Sequence, residues 1–132
     1  MNRLEFPRIF RERLETLQVN LGYKCNQACS HCHVDAGPNR LEMMSDEVIE
    51  LIPKAIEMYQ LRVLDITGGA PEMHPRFKQL VEKANNLNVK VIDRCNLTIL
   101  KEPGYKDMAD FLALNKVQIV ASLPCYLKDN VD

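Results

Sequence analysis

Four short runs of apolar and β-branched residues recur along the chain: TLQVNLG at 16–22, RVLDIT at 62–67, VKVID at 89–93 and KVQIVAS at 116–122. Each has the length and composition of a strand buried on both faces. Between these runs the apolar positions change to a helical period. Ser45 followed by Asp46 and Glu47 reads as an N-cap and an acidic first turn, and the helix behind it would present Val48, Ile52, Ile56 and Tyr59 on one face, with a bend at Pro53. A second helix opens at HPRF with Pro75 in its first turn, and its stripe is Phe77, Leu80, Val81, Ala84 and Leu87. The third lies in GYKDMADFLALN, offers Met108, Phe111 and Leu112, and stops near Asn115, a residue suited to a left-handed C-cap.

After the first unit the strand starts are about 27 residues apart, the length of a strand, loop, helix and loop. The pattern predicts β(αβ)₃, an α/β fold with a parallel sheet, right-handed crossovers and helices covering the sheet. Ten residues, LPCYLKDNVD, follow the fourth run, too few for a further covering helix. The fourth strand is therefore expected as a bare edge, to be covered by a partner or by a longer continuation of the chain.

Length and charge narrow the function classes. The 132 residues suit one ordinary domain, and 46% apolar content is normal for a globular protein. Seventeen basic and eighteen acidic side chains, with no Lys or Arg run, do not suggest a nucleic-acid or anionic-membrane partner. The opening MNRLEFPRIFRERLETL has four arginines but also Glu5, Glu12 and Glu15 and no apolar core, so it fits neither a secretory signal nor a transit peptide. No apolar run approaches the roughly 18 residues of a membrane helix. A cytoplasmic protein is expected, and in that reducing setting clustered thiols favour ligand chemistry over disulfides.

Three of the five cysteines, Cys25, Cys29 and Cys32, fall within eight positions of KCNQACSHCHVDAGP. Gaps of four and three also describe one face of a helix, so three small core residues are one reading. The polar neighbours Asn26, Gln27, Ser30 and His31 supply little apolar surface for it. Structural zinc is another, with His33, Cys95 or Cys125 completing four ligands, although zinc motifs usually bring two separated ligand pairs. Three thiolates on one loop suit a cubane iron–sulfur cluster better, because they can hold three irons and leave the fourth open. The loop follows the first strand, and GGAPEM, RCNLT and LPCY follow the next three, so all four would share the carboxyl-end rim where α/β chemistry collects.

CNQACSHC resembles the CxxxCxΦC signature of the radical S-adenosylmethionine (SAM) enzymes, with His31 at the usual aromatic position, and GGAPE resembles the glycine-glycine-glutamate motif after their second strand. Beyond the superfamily, CSHCHVDAGPNR, DITGGAPEMHPRF, RCNLTIL and SLPCY are together similar to the radical SAM/Cys-rich family that includes the arsenosugar-biosynthesis radical SAM proteins. The likeness runs from about Leu17 onward. It implies the front part of a partial (β/α)₆ TIM-like barrel, with residues 1–132 the N-terminal part of a radical SAM domain that lacks further strands and a Cys-rich C-terminal region, so activity of this chain alone is in question.

The resemblance also implies a site. Cys25, Cys29 and Cys32 would ligate a [4Fe-4S] cluster whose open iron is chelated by SAM, and one electron would cleave SAM to methionine and a 5′-deoxyadenosyl radical. Gly68 and Gly69 would let backbone approach the methionine moiety, Glu72 would hold its ammonium, and Asn96 and Ser122 would meet ribose or adenine. Cys95 and Cys125 would face a small-molecule substrate, a trivalent methylated arsenic species that takes the adenosyl group, since soft arsenic matches thiolate. An electron donor such as a flavodoxin or ferredoxin is implied. The competing reading is a non-catalytic Fe–S or zinc-binding module completed by a partner chain. Arg94 reads as a rim ion pair, and His31, His33 and His74 as supporting or capping groups.

Overall fold

The computed structural model describes residues 5–29, 32 and 34–121. All four expected strands form, as β1 (Thr16–Asn20), β2 (Val63–Thr67), β3 (Lys90–Arg94) and β4 (Gln118–Val120). They alternate with α1 (Asp46–Tyr59), α2 (Phe77–Asn86) and α3 (Met108–Leu114). Every pairing is parallel and the order is β1-β2-β3-β4, with Leu17 opposite Leu64 and Leu64 opposite Val91. Such sequential winding is that of a β/α barrel wall, because a doubly wound sheet reverses its strand order at a switch point. The α/β reading with a parallel sheet of repeated β/α units therefore stands.

The helices fill one face. Ile49, Ile52 and Ile56 of α1, Phe77, Leu80, Val81 and Ala84 of α2, and Met108 and Leu112 of α3 pack with Val19, Leu64, Ile66 and Val91 in one core. Successive strand side chains alternate between faces, so the other face carries Gln18, Asp65 and Arg94. This corrects the expectation of strands buried on both faces: β1 is mostly exposed and β4 is exposed at all three residues. Asp65 accepts two bonds from Arg94, each 2.9 Å, and one from Gln18 at 3.1 Å. The guanidinium holds the Asp65 carboxyl below its usual range.

Helix ends follow local chemistry. Ser45 caps α1, its Oγ accepting from the Val48 N–H, and Gln60 closes the helix in a left-handed conformation. The buried stripe of α1 starts one residue later than expected, at Ile49, while Val48 and Tyr59 are exposed, because only positions 49, 52 and 56 share the face toward the sheet. Pro53 is accommodated within one continuous helix. At the end of α3 the left-handed residue is Lys116, whereas Asn115 uses its amide to donate to the Phe111 carbonyl.

Truncating Phe77, which is fully enclosed, to Ala should cost about 3–5 kcal/mol. Ser45→Ala should cost about 1 kcal/mol through the lost cap. Urea denaturation of both variants checks that order, and the reverse order would show that α1, and not the α2 contact, anchors the core.

Candidate functional site

Past β1 the chain continues as an extended segment, Leu21 to Cys25, held on both sides. On one side the Leu21 N–H donates to the Thr67 carbonyl (3.0 Å), Gly69 N–H to Gly22 (2.9 Å) and Ala70 N–H to Lys24 (2.8 Å). On the other, Tyr23 N–H donates to Glu42 (2.9 Å), Cys25 N–H to Gly37 (3.1 Å), and Gly37 N–H to Tyr23 (3.0 Å). The cysteine loop is thus laced to the returning segment 37–44 and to the turn after β2. Arg40 secures the return strand by pairing with Glu42 at 2.9 Å and lying over the Tyr23 ring at 4.9 Å.

The contact between the β2 turn and this segment is backbone to backbone. A Cβ on Gly69 would lie 2.5 Å from the Lys24 carbonyl oxygen, and one on Gly68, whose φ is +148°, 2.7 Å from that of Gly22. Both are closer than any side chain tolerates. The glycines are required, then, by the protein's own cysteine loop.

Cys25 is buried, while Cys29 and Cys32 are half-buried, and the stretch 25–29 is irregular, which rules out three core residues on a helix. Cys32 N–H closes a turn on the Cys29 carbonyl at 3.2 Å. Nitrogen donors surround two of the sulfurs. Cys25 Sγ accepts from Gln27 N–H and Asn96 Nδ2, each at 3.4 Å, and Cys32 Sγ from Ala36 N–H at 3.4 Å. Asn96 Nδ2 also donates to Asn26 Oδ1 at 2.7 Å, and Asn26 Nδ2 to Thr98 Oγ1 at 2.8 Å. Asn96 Oδ1 accepts from Thr98 Oγ1 (3.1 Å) and Ile99 N–H (3.0 Å). One amide thereby pins the loop after β3 to the cysteine loop.

Comparison with known proteins places this geometry. The Radical SAM superfamily profile matches residues 19–123. The chain belongs to the radical SAM superfamily. Among curated proteins it is 29% identical over 83 residues to a probable GTP 3′,8-cyclase of Sulfurisphaera tokodaii, covering 63% of this chain and 26% of that protein. It is 24% identical over 95 residues to the Sulfolobus acidocaldarius protein of the same description, covering 71% and 30%, and 26% identical over 98 residues to a Saccharolobus islandicus one, covering 74% and 32%. The chain thus spans about a quarter to a third of the length of these relatives.

The superfamily's cofactors are a [4Fe-4S] cluster and SAM. The residues present fit a cluster: three cysteine sulfurs on one loop can serve as its ligands, and N–H donors aimed at sulfur tune a cluster's potential. A single tetrahedral ion fits the loop less well, because ligands about 2.3 Å from one zinc must lie within about 3.8 Å of each other. Among the described residues the triad whose ligand atoms converge within 4.8 Å is Glu72, Asp93 and Cys95, and not the three loop cysteines.

That triad contains two residues expected at the site. Glu72 and Cys95 are 3% and 2% exposed, and Cys95 packs with Cys25 and Ala70. Asn96 directs its amide to Cys25, Asn26 and the Ile99 N–H. Ser122, Cys125, His31 and His33 lie outside the described residues. His74 caps as expected: its Nδ1 accepts from the Arg76 N–H (3.1 Å), which leaves the Nε2 proton for the Met44 carbonyl at 2.8 Å. Arg94 makes its ion pair, with Asp65.

Two residues that matter were missed. Asn26, the partner of Asn96, carries no sequence signal that separates it from a loop amide. Asp93 does carry one: it falls on the same strand parity as Val89 and Val91, which is the core face. It is wholly enclosed, and burial together with the facing Glu72 carboxylate pushes its carboxyl up to about 9. Burial and the same carboxylate push the Cys95 thiol up.

Two outcomes follow from this geometry. Gly69→Ala should destabilise by about 1–3 kcal/mol through overpacking against Lys24, and should reduce the iron retained after anaerobic reconstitution; unchanged iron content would show that the loop yields freely. In the metal-free chain Asp93 keeps its proton to about pH 9, while in the unfolded chain it loses it near its ordinary value of 3.8. Stability should therefore fall as pH rises through that window, by up to about 1.4 kcal/mol per unit. Asp93→Asn should flatten that slope in denaturation measured at pH 5, 7 and 9.

Proposed function

We propose that residues 1–132 are the N-terminal part of a radical SAM domain, and that the protein containing them reductively cleaves SAM in the cytoplasm. The observation that carries this reading is the cysteine loop itself: three thiols on the carboxyl-end rim of a parallel sheet, two of them met by N–H donors. Cys25, Cys29 and Cys32 would hold the cluster. When bound, the cluster supplies the electron that splits the SAM sulfonium into methionine and a 5′-deoxyadenosyl radical.

The chain's own residues have preparatory work. Gly68 and Gly69 bring the β2 turn against the cysteine loop, so the backbone edge of 68–70 is fixed beside the thiols for a SAM methionine moiety to meet. Asn96 and Asn26 hold Cys25 in place. The edge of β4, unpaired among the described residues and with Ile119 and Val120 partly exposed, is where further strands or a partner chain would add. The substrate reading is a trivalent methylated arsenic species that accepts the adenosyl group, supported by the likeness of RCNLTIL and SLPCY to the arsenosugar-biosynthesis proteins. A flavodoxin or ferredoxin would supply the electron.

The test is anaerobic reconstitution of the full-length protein with iron and sulfide, then dithionite and SAM. A brown protein that forms 5′-deoxyadenosine is expected, with both colour and product lost in Cys25→Ser, Cys29→Ser or Cys32→Ser. Iron without SAM cleavage would favour the non-catalytic module, and zinc in place of iron at the loop would end the cluster reading. Dimethylarsinous acid and GTP added in separate arms decide the substrate: adenosylated arsenical supports the proposal, and turnover of GTP alone would reject it.

A further inference from the structure

Beneath the cysteine loop, three ligand-bearing side chains meet on the helix face of the sheet. Asp93 and Cys95 lie two positions apart where β3 ends, and so point to one side. Glu72 reaches them from the Pro71–Met73 turn after β2. One ligand atom from each lies within 4.8 Å of the other two. Glu72 is 3%, Asp93 0% and Cys95 2% exposed. Among the described residues no group outside the trio donates to the four buried carboxylate oxygens, and Glu72 faces both Asp93 and the Cys95 thiol. Native proteins rarely leave such groups unmatched, since each unpaired buried polar atom costs free energy and an unpaired charge costs more.

We propose that Glu72, Asp93 and Cys95 form a metal site distinct from the cysteine loop, holding one borderline divalent cation, with zinc the best match. Two carboxylates and a thiolate are a mixed hard and soft set, which suits zinc better than magnesium or calcium. A proton shared between the two carboxyls, with the Cys95 thiol donating to Glu72, would still leave one carboxylate oxygen unmatched, whereas a cation draws on all three side chains at once. With the ligand atoms already within 4.8 Å of one another, reaching the spacing of a tetrahedral site needs a movement of about 1 Å at most. Binding releases the Cys95 thiol proton, and any carboxyl proton, to solvent.

The fourth position has an outlet. Glu72 lines an open cavity of about 330 Å³ between the Pro71–Met73 turn and the start of α3, bounded also by Lys78, Tyr105 and Met108. Water can enter there to complete the coordination. Lys78 at its border is paired with Asp107 at 2.7 Å and does not compete for the carboxylates. Cys95 packs in the same small cluster as Cys25 and Ala70, so the ion would tie β3 and the β2 turn together directly under the cysteine loop.

Zinc binding to the reconstituted full-length protein tests this, because iron then occupies the loop cysteines. Elemental analysis after dialysis should find about one zinc per chain beside the iron, and zinc should raise the melting temperature. Cys95→Ala and Asp93→Asn should each weaken zinc binding by about a hundredfold or more, exceeding the loss from removing a supporting group, with iron content unchanged. Glu72→Gln serves as a third variant should one fail to fold. A wild type that retains no zinc and shows no thermal shift, or variants that bind it as tightly as the wild type, would overturn the proposal and leave a shared proton as the occupant.

Discussion

The arrangement depends on one close approach: the backbone of Gly68 and Gly69 lies against the backbone of Gly22 and Lys24 with no room for a side chain between them. It turns the first two strand ends into a single unit. The parallel ladder between β1 and β2 does not stop at Asn20 and Thr67 but continues through Leu21, Gly22 and Lys24, so the segment carrying Cys25 inherits the sheet's rigidity. Ligand groups on a sheet extension are fixed more sharply than ligand groups on a long loop, where each backbone dihedral adds freedom. Segment 37–44 completes the restraint from the other side.

Strand parity then divides the work of the two faces. Even-numbered Leu64 and Ile66 on β2, with Val91 on β3, belong to the helix-covered core, and their neighbours Asp65 and Arg94 belong to the open face. A one-residue slip of register would exchange these sets, bury the ion pair and expose the core, so the hydrophobic pattern fixes the alignment that brings the strand ends level. Level strand ends put the cysteine loop, the glycine turn and the Asn96 loop within hydrogen-bonding reach of each other.

The elements were legible because strands and helices follow periods that survive in a single sequence. Apolar runs placed all four strands, and the three- and four-residue spacing found Phe77, Leu80, Val81 and Ala84. The one-residue error in α1 arose because Val48 and Ile49 are equally apolar, and only the sheet's position chooses between them. The cysteines and glycines were legible as a pattern, yet the reason for the glycines was not: the atom a Cβ would strike, the Lys24 carbonyl oxygen, is more than forty residues away in sequence. Glu72 and Cys95 were found by motif, but their burial and their convergence with Asp93 were not, because a motif gives the order of residues and not what each side chain packs against. Asp93 was available to parity reasoning and was hidden by the apolar run around it.

The two anionic groups near the strand ends are treated in opposite ways. Sulfurs of the cysteine loop receive backbone and amide N–H donors, at the buried Cys25 and the half-buried Cys32. Among the described residues the carboxylates of Glu72 and Asp93 receive no such donor from the backbone or an amide, and both are buried. Sequence alone would permit a leucine or an asparagine at position 93, either of which avoids the penalty of an uncompensated carboxylate. A buried acid pair beside a thiol is therefore a cost the fold carries, and the compensating positive charge must come from a proton or a cation. Because Cys95 and Cys25 share one packing cluster, whatever neutralises the acids also sets the field and the rigidity beneath the thiols above.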